Sequence, residues 1–261
     1  MQTILTIYFF LLGTTLASFL NALMYRIDKE YKYPEIFTKP SHCEKCNKQL
    51  KWYDLIPILS YIFTKGKCSK CKEKISIYYP ISELFLGISL SLLYYTQVPW
   101  FTYPILFILF CLTYFDIIYK AIPQTPTLIS LGSSILYLLI NSIIKREFIS
   151  NAILSGLGVI FGISVILLLM YGIKNIKEGF GFGDFLILFS LSAFLDTEQF
   201  WLLFWIAIFI AVIYSLIGMI FNKVDRKTAL PLLPFFTLAY IVVVTYGDVI
   251  LKYLEVYLSI I

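Results

Sequence analysis

The feature that most constrains this chain is a series of apolar runs, most of them long enough to cross a membrane. About 20 apolar residues in a helix span the hydrocarbon core of a bilayer, where every backbone hydrogen bond must be made internally. Hydrophobic residues make up 59% of the 261 residues and charged residues 14%, which excludes an ordinary soluble domain. The sequence predicts an all-α polytopic membrane protein with about eight transmembrane helices. The predicted spans are 3–25, 78–97, 99–119, 125–144, 151–173, 184–196, 199–221 and 230–251.

The distribution of lysine and arginine predicts the orientation of these spans, because positive charge concentrates in cytoplasmic loops. Twelve of the 21 basic residues lie between Arg26 and Lys74. Placing that segment in the cytoplasm puts eighteen basic residues inside and three outside. The N-terminus is then outside, and the basic loop contacts anionic lipid. One missed or extra span would invert the later helices, and the charge count disfavours it.

Four cysteines lie in the one long polar segment, residues 26–77, here called the cysteine loop. Cys43 and Cys46 form one C-x-x-C pair, and Cys68 and Cys71 form another after 21 residues. Two such pairs supply the four thiolates of a tetrahedral zinc site, which leaves no open position and is therefore structural. Without a metal, the cysteines would form two free thiol pairs or a redox pair, and stable disulfides are less favoured in a cytosolic loop.

Two aspartates mark the ends of predicted spans. Asp116 ends the third span, and Asp184 begins the sixth span after a glycine-rich stretch that includes Gly181 and Gly183. Both acids are predicted at the cytoplasmic membrane surface, where an unpaired acid is costly and is a candidate functional residue. Two carboxylates that share one proton can activate water and protonate a leaving amine.

The predicted helix ends suggest a role for each acid. Asp184 lies at a helix N-terminus, which favours the anion and the role of base, and Asp116 lies at a C-terminus, which favours the role of acid. A coupled pair nevertheless titrates jointly. A purely structural interpretation is that each acid only caps its helix; this suits Asp184 better than Asp116.

Nearly the whole chain resembles the type IV prepilin peptidases. The residues that carry the resemblance form an ordered set of short motifs along the chain. They are Gly13-Thr-Thr-Leu-Ala-Ser18-Phe19-Leu20-Asn21, Arg26, the four cysteines with Leu50, Ile56-Pro57, Ser60 and Gly66, Tyr79-Pro80-Ile-Ser-Glu83, Asp116 with Ile122-Pro123, Gly181-Phe-Gly183-Asp184, Pro231 and Pro234-Phe235.

The resemblance implies an aspartic peptidase of the bacterial inner membrane with a G-x-G-D motif. It implies that Asp116 and Asp184 cleave the short basic leader of a prepilin or pseudopilin after a glycine, at the cytoplasmic face. It also implies methylation of the new N-terminus from S-adenosylmethionine, with Glu83 and Asn21 as the weaker candidates for cofactor binding. The domains expected are a first helix at 1–25, the methyltransferase-associated cysteine loop and a peptidase domain at 78–261.

Three positions depart from the family pattern. Ala17 stands where the family has glycine before the serine, Leu186 where it has lysine, and Leu232-Leu233 lie between the prolines of a motif usually written I-P-F-G-P-F. Two further classes of function fit parts of the sequence: a proton- or cation-coupled transporter using the two aspartates, and a catalytically degenerate, zinc-stabilised assembly scaffold. The acids lie at one predicted surface rather than at the midplane, which disfavours a transporter. No nucleic-acid partner is expected.

Overall fold

The computed structural model describes residues 1–120, 124–144, 182–221 and 230–260. This described part is helical, and its extended residues pair only in two isolated bridges. The predicted all-α class is therefore confirmed. The nine α-helices of the described part, α1 to α9 in chain order, are Gln2–Asp28, Glu35–Thr38, Leu59–Phe63, Tyr78–Tyr95, Thr102–Tyr119, Gln124–Ile144, Phe182–Ser192, Thr197–Ile220 and Leu233–Ile260.

The helices coincide with seven of the eight predicted spans, and the eighth, 151–173, lies outside the described residues. By length and hydropathy, four helices can cross a membrane. These are Gln2–Asp28, Thr102–Tyr119, Thr197–Ile220 and Leu233–Tyr257. Shorter apolar stretches occur in α6, at Gln124–Ile140, and in α7, at Gly183–Ser192. The helix α4 is less apolar because it buries Ser82, Glu83 and Ser89.

The chain divides into two compact units, the first of which is Met1–Val98. In this unit α1 and α4 pack antiparallel, since Phe9 near the start of α1 stacks on Tyr94 at the end of α4 with ring centroids 4.5 Å apart. At the middle of the contact Gly13 faces Gly87, and a Cβ atom on Gly13 would lie 2.7 Å from the Cα of Gly87. The two backbones approach this closely because neither residue has a side chain.

The second unit comprises the rest of the chain. Here Ser130 of α6 and Ser190 of α7 are joined by their hydroxyls at 2.7 Å, and further along both helices Tyr137 lies 4.8 Å from Phe194 between ring centroids. The helices α6 and α7 therefore run parallel. Phe101, at the start of α5, lies 4.7 Å from Tyr137, so α5 runs antiparallel to α6.

The core of the second unit is apolar and is shared by α5, α7, α8 and α9. Its fully buried members include Leu112, Leu188, Leu203 and Leu233, one from each of these helices. Burying a leucine side chain stabilises the fold by about 2 kcal/mol. This core fixes the ends of α5, α7 and α9, which carry the candidate acids and the backbone next to them.

Candidate active site and metal centre

The two C-x-x-C pairs lie on two turns with the same backbone hydrogen bonds. In the first turn the Cys43 N–H donates to the carbonyl of Lys48 at 2.9 Å, and in the second the Cys68 N–H donates to that of Glu73 at 2.8 Å. Each turn is flanked by one isolated antiparallel bridge. Positive φ angles recur at equivalent positions, 52° at Asn47 and 59° at Lys72. The cysteine loop therefore contains a local structural repeat with an offset of 25 residues, which the sequence analysis missed.

The four cysteine sulfurs converge on one point. All four Sγ atoms lie within 4.8 Å of one another, with Cys43 and Cys71 3.8 Å apart and Cys46 and Cys68 3.9 Å apart. Zn–S bonds of about 2.3 Å in a tetrahedron require sulfur–sulfur distances of about 3.8 Å. The backbone N–H groups of Cys71 and Lys70 lower the pKa of the Cys68 thiol to about 6, which favours the thiolate that a metal requires. The geometry and chemistry of the four residues fit a zinc ion.

Two long side chains fasten the cysteine loop to the helices of the first unit. Arg26, in the last turn of α1, donates to the carbonyl of Ile36 at 2.9 Å and to the hydroxyl of Ser41 at 3.4 Å. Glu83 of α4 accepts the backbone N–H of Ile58 at 2.7 Å. Ile58 has a φ of 61°, which is unusual for a β-branched residue and is maintained by such contacts. The loop is therefore held near the helix ends at several points.

The two weaker candidates for cofactor binding, Asn21 and Glu83, line the same cavity of the first unit. The Asn21 side chain is 2% exposed and Glu83 is 7% exposed. Asn21 Nδ2 donates to Ser82 Oγ at 2.8 Å, which links α1 to α4 next to Glu83. The structure thus brings together two residues that are 62 positions apart in the chain.

Asp116 lies near the C-terminus of α5 and is 6% exposed. Its Oδ2 accepts the backbone N–H of Leu233 at 2.9 Å, at the first residue of α9. The Thr237 hydroxyl donates to the Leu233 carbonyl at 2.8 Å and lies 2.8 Å from the hydroxyl of Thr113. N–H groups at a helix N-terminus favour an ionised carboxylate. The location of Asp116 on α5 is therefore an incomplete guide to its charge.

Asp184 lies in the first turn of α7 and is 8% exposed. The helix begins two residues earlier, at Phe182, so Asp184 is inside the helix rather than at its N-cap position. This location disfavours the interpretation that Asp184 only caps the helix. Gly183 is half-buried beside it, and Gly181 lies outside the described residues.

Both aspartates lie toward the same end of the second unit. Phe101, Tyr137 and Phe194 mark the opposite end. Asp116 follows Phe101 by 15 residues along α5, and Asp184 precedes Phe194 by 10 residues along α7. Given the helix directions, both lie away from the aromatic cluster, by about 22 Å and about 15 Å at 1.5 Å per residue. A joint role of the two acids requires this arrangement.

Two adjacent parts of the chain match known families. Residues 11–97 match the bacterial peptidase A24 N-terminal domain, and residues 103–216 match the type IV leader peptidase family. The first range contains the four cysteines, Asn21 and Glu83, and the second contains both aspartates. No solved structure was found to match the chain.

Similar proteins named prepilin leader peptidase/N-methyltransferase occur in several bacteria. The chain is 28% identical to the protein of Neisseria gonorrhoeae, over 82% of this chain and 80% of that protein. It is 26% identical to that of Aeromonas salmonicida, over 94% and 91%. Identity to the protein of Vibrio cholerae serotype O1 is 35%, over 38% of this chain and 42% of that protein. Together with the two domain matches, these similarities show that the chain belongs to the type IV leader peptidase family.

Proposed function

We propose that this chain is a membrane-bound aspartic endopeptidase that removes the basic leader of prepilin-like precursors and then methylates the new N-terminus. Membership of the leader peptidase family and the names of the similar proteins support both steps. The observation that carries the peptidase step is the burial of Asp116 and Asp184 at one end of the second unit. Neither a transporter nor an assembly scaffold has comparable support.

In the proposed cleavage, Asp116 and Asp184 share one proton, because two neighbouring buried carboxylates do not both ionise. The ionised carboxylate takes a proton from water, and the resulting hydroxide attacks the scissile carbonyl carbon. The protonated carboxyl donates its proton to the leaving nitrogen as the C–N bond breaks. The N–H of Leu233 stabilises the Asp116 carboxylate and the N-terminus of α7 stabilises that of Asp184. The pH–rate profiles of Asp116→Asn and Asp184→Asn will assign the two roles.

The proposed substrates are prepilins and pseudopilins, in which a basic leader precedes one long apolar helix. Such a helix lies in the bilayer and presents the cleavage point at the membrane surface. We place the chain in the bacterial inner membrane, with the cysteine loop and both acids on the cytoplasmic side, on the strength of its charge distribution. The proposed domains remain the first helix at 1–25, the cysteine loop at 26–77 and the peptidase domain at 78–261.

The proposed methylation requires two groups that this chain would hold. A zinc ion bound by Cys43, Cys46, Cys68 and Cys71 fixes the fold of the cysteine loop. S-adenosylmethionine supplies the methyl group when bound: the N-terminal nitrogen gains the methyl and loses a proton, and the sulfonium becomes a thioether. Glu83 and Asn21 are the side chains proposed to lie next to this cofactor.

The test is co-expression with a prepilin, followed by mass analysis of the prepilin N-terminus, which reports the cleavage site and any added methyl group together. We expect cleavage after a glycine, a mass increase of one methyl group, and loss of cleavage in Asp116→Ala and Asp184→Ala. Full cleavage by both variants would refute the aspartate mechanism. Ion flux without cleavage in reconstituted vesicles would instead support the transporter.

A further inference from the structure

A cavity of about 640 Å³ lies within the first unit, between α1, α4 and the cysteine loop. Sites for small molecules have volumes of about 300–1,000 Å³. We infer that this cavity binds S-adenosylmethionine and that Asn21 and Glu83 are its recognition groups. The inference rests on the proposed methyl transfer and adds to it a location and a mode of recognition.

Asn21 presents a hydrogen-bond acceptor to the cavity. Ser82 receives the Asn21 Nδ2 donor, and its own hydroxyl donates to the carbonyl of Tyr79 at 2.9 Å. The Ser82 oxygen can therefore only accept from Asn21, which fixes the orientation of the amide. Asn21 Oδ1 has no hydrogen-bond partner among the residues that the structure describes. Because a buried acceptor without a donor is costly, an N–H group of a ligand is its expected partner.

Glu83 contributes a buried negative charge to the same cavity. The N–H of Ile58 favours the ionised carboxylate. Within the described ranges no lysine or arginine lies within ion-pair distance of Glu83, whereas Glu73, another acid of the lining, pairs with Lys45 at 3.0 Å. A buried carboxylate without a counter-ion is strongly unfavourable, so the cavity favours a cationic ligand.

The lining combines this charge with aromatic rings, since Tyr25 of α1 and Tyr79 of α4 also border the cavity. Aromatic faces attract cations that have left water. The cavity therefore selects a cation that carries N–H donors. S-adenosylmethionine has a sulfonium cation, an ammonium group and an adenine amino group, and its reaction product lacks the sulfonium charge.

Two molecules of the proposed reaction carry this chemistry: the methyl donor and the amino terminus of the cleaved pilin. The enclosed position beside buried Asn21 favours the small donor, because a chain terminus brings a long helix with it. S-adenosylhomocysteine distinguishes the two, since it retains both amino groups and the adenine but has no sulfonium charge. A peptide with the N-terminal sequence of the mature pilin supplies the other comparison.

The experiment is equilibrium titration of the purified, zinc-loaded full-length protein with S-adenosylmethionine, S-adenosylhomocysteine and the peptide. Glu83→Gln keeps an acceptor for Ile58 and removes only the charge. We expect it to weaken S-adenosylmethionine binding at least tenfold and S-adenosylhomocysteine binding less than threefold. Asn21→Leu removes the acceptor, and we expect it to weaken both ligands at least fivefold.

A matched control is Ser91→Ala, which removes another polar contact between α1 and α4, the 3.1 Å bond to the Thr6 carbonyl, outside the cavity. We expect no change in either affinity. Zinc content and elution volume verify that each variant is folded. Wild-type affinity in both Glu83→Gln and Asn21→Leu, in a protein that methylates pilin, would overturn the assignment while leaving the proposed function intact. Wild-type protein that neither binds S-adenosylmethionine nor methylates pilin would overturn both.

Discussion

The contact between Gly13 and Gly87 allows a sharp test of how the first unit is built. In Gly13→Ala the new methyl group would lie 2.7 Å from both the Cα of Gly87 and the carbonyl oxygen of Leu86. Carbon atoms in contact prefer separations of about 3.5–4.0 Å, so α4 must move away by about 1 Å. The atoms in the way belong to the backbone and cannot rotate aside. Gly132→Ala is a matched control on α6, where a Cβ meets nothing within 4 Å.

The expected magnitude follows from two opposing terms. Overpacking costs about 1–3 kcal/mol, and the upper value applies to a clash between backbones. Replacing a helical glycine with alanine contributes about 1 kcal/mol of stability at either position. We therefore expect Gly13→Ala to lose about 2 kcal/mol and Gly132→Ala to gain up to about 1 kcal/mol. For a chain of this size the loss corresponds to a midpoint of thermal unfolding lower by about 4–8 °C.

The assay is thermal unfolding of the zinc-loaded protein in detergent, followed by binding of S-adenosylmethionine to each variant. Because Asn21 and Glu83 depend on the same pair of helices, Gly13→Ala should also weaken binding of the methyl donor, by more than it slows leader cleavage. A Gly13→Ala protein as stable as Gly132→Ala would refute the reasoning, because the close backbone approach would then have no energetic consequence.

Three further predictions concern the other sites. Asp116→Asn and Asp184→Asn should each lower leader cleavage about 10²–10⁴-fold without changing zinc content, as measured by precursor processing in detergent; unchanged processing in either would exclude that acid from catalysis. Cys43→Ser should abolish tight zinc binding and methylation, measured by metal analysis and peptide mass, and retention of a full equivalent of zinc would contradict the four-thiolate site. Thr237→Val removes the hydroxyl that joins Leu233 to Thr113 and should lower cleavage several-fold, whereas Thr245→Val, which loses only a bond to the carbonyl of Ile241 in its own helix, should not; equal losses in the two would show that the effect is general.

Composition and cysteine spacing were sufficient to predict the helical class and the convergence of four thiols, because both depend on local sequence. The spacing of Cys43, Cys46, Cys68 and Cys71 determines two turns that can meet at one metal. The repeated hydrogen bonds of those turns were not predicted, since the intervening residues of the two halves are not similar in sequence.

The surroundings of the acids depend on tertiary contacts, and the sequence is a poor guide to them. An acid at the end of an apolar run identified Asp116, but its donor is the backbone N–H of Leu233, and any residue except proline would provide one. The cavity beside Asn21 and Glu83 likewise depends on how closely α1 approaches α4. The resemblance named both residues, yet only the structure shows that they border one space. The catalytic and cofactor-binding roles of these residues stay predictions.

The two matching turns of the cysteine loop have a consequence for biogenesis. As the chain leaves the ribosome, Cys43 and Cys46 emerge 25 residues ahead of Cys68 and Cys71. An ion captured by the early pair has two coordination positions still open to water or to a competing chelator, and it exchanges readily. The arrival of the late pair completes the shell and traps the ion. Metal supply therefore acts during a short interval of synthesis, and a chain that misses this interval carries an unfastened loop into the bilayer.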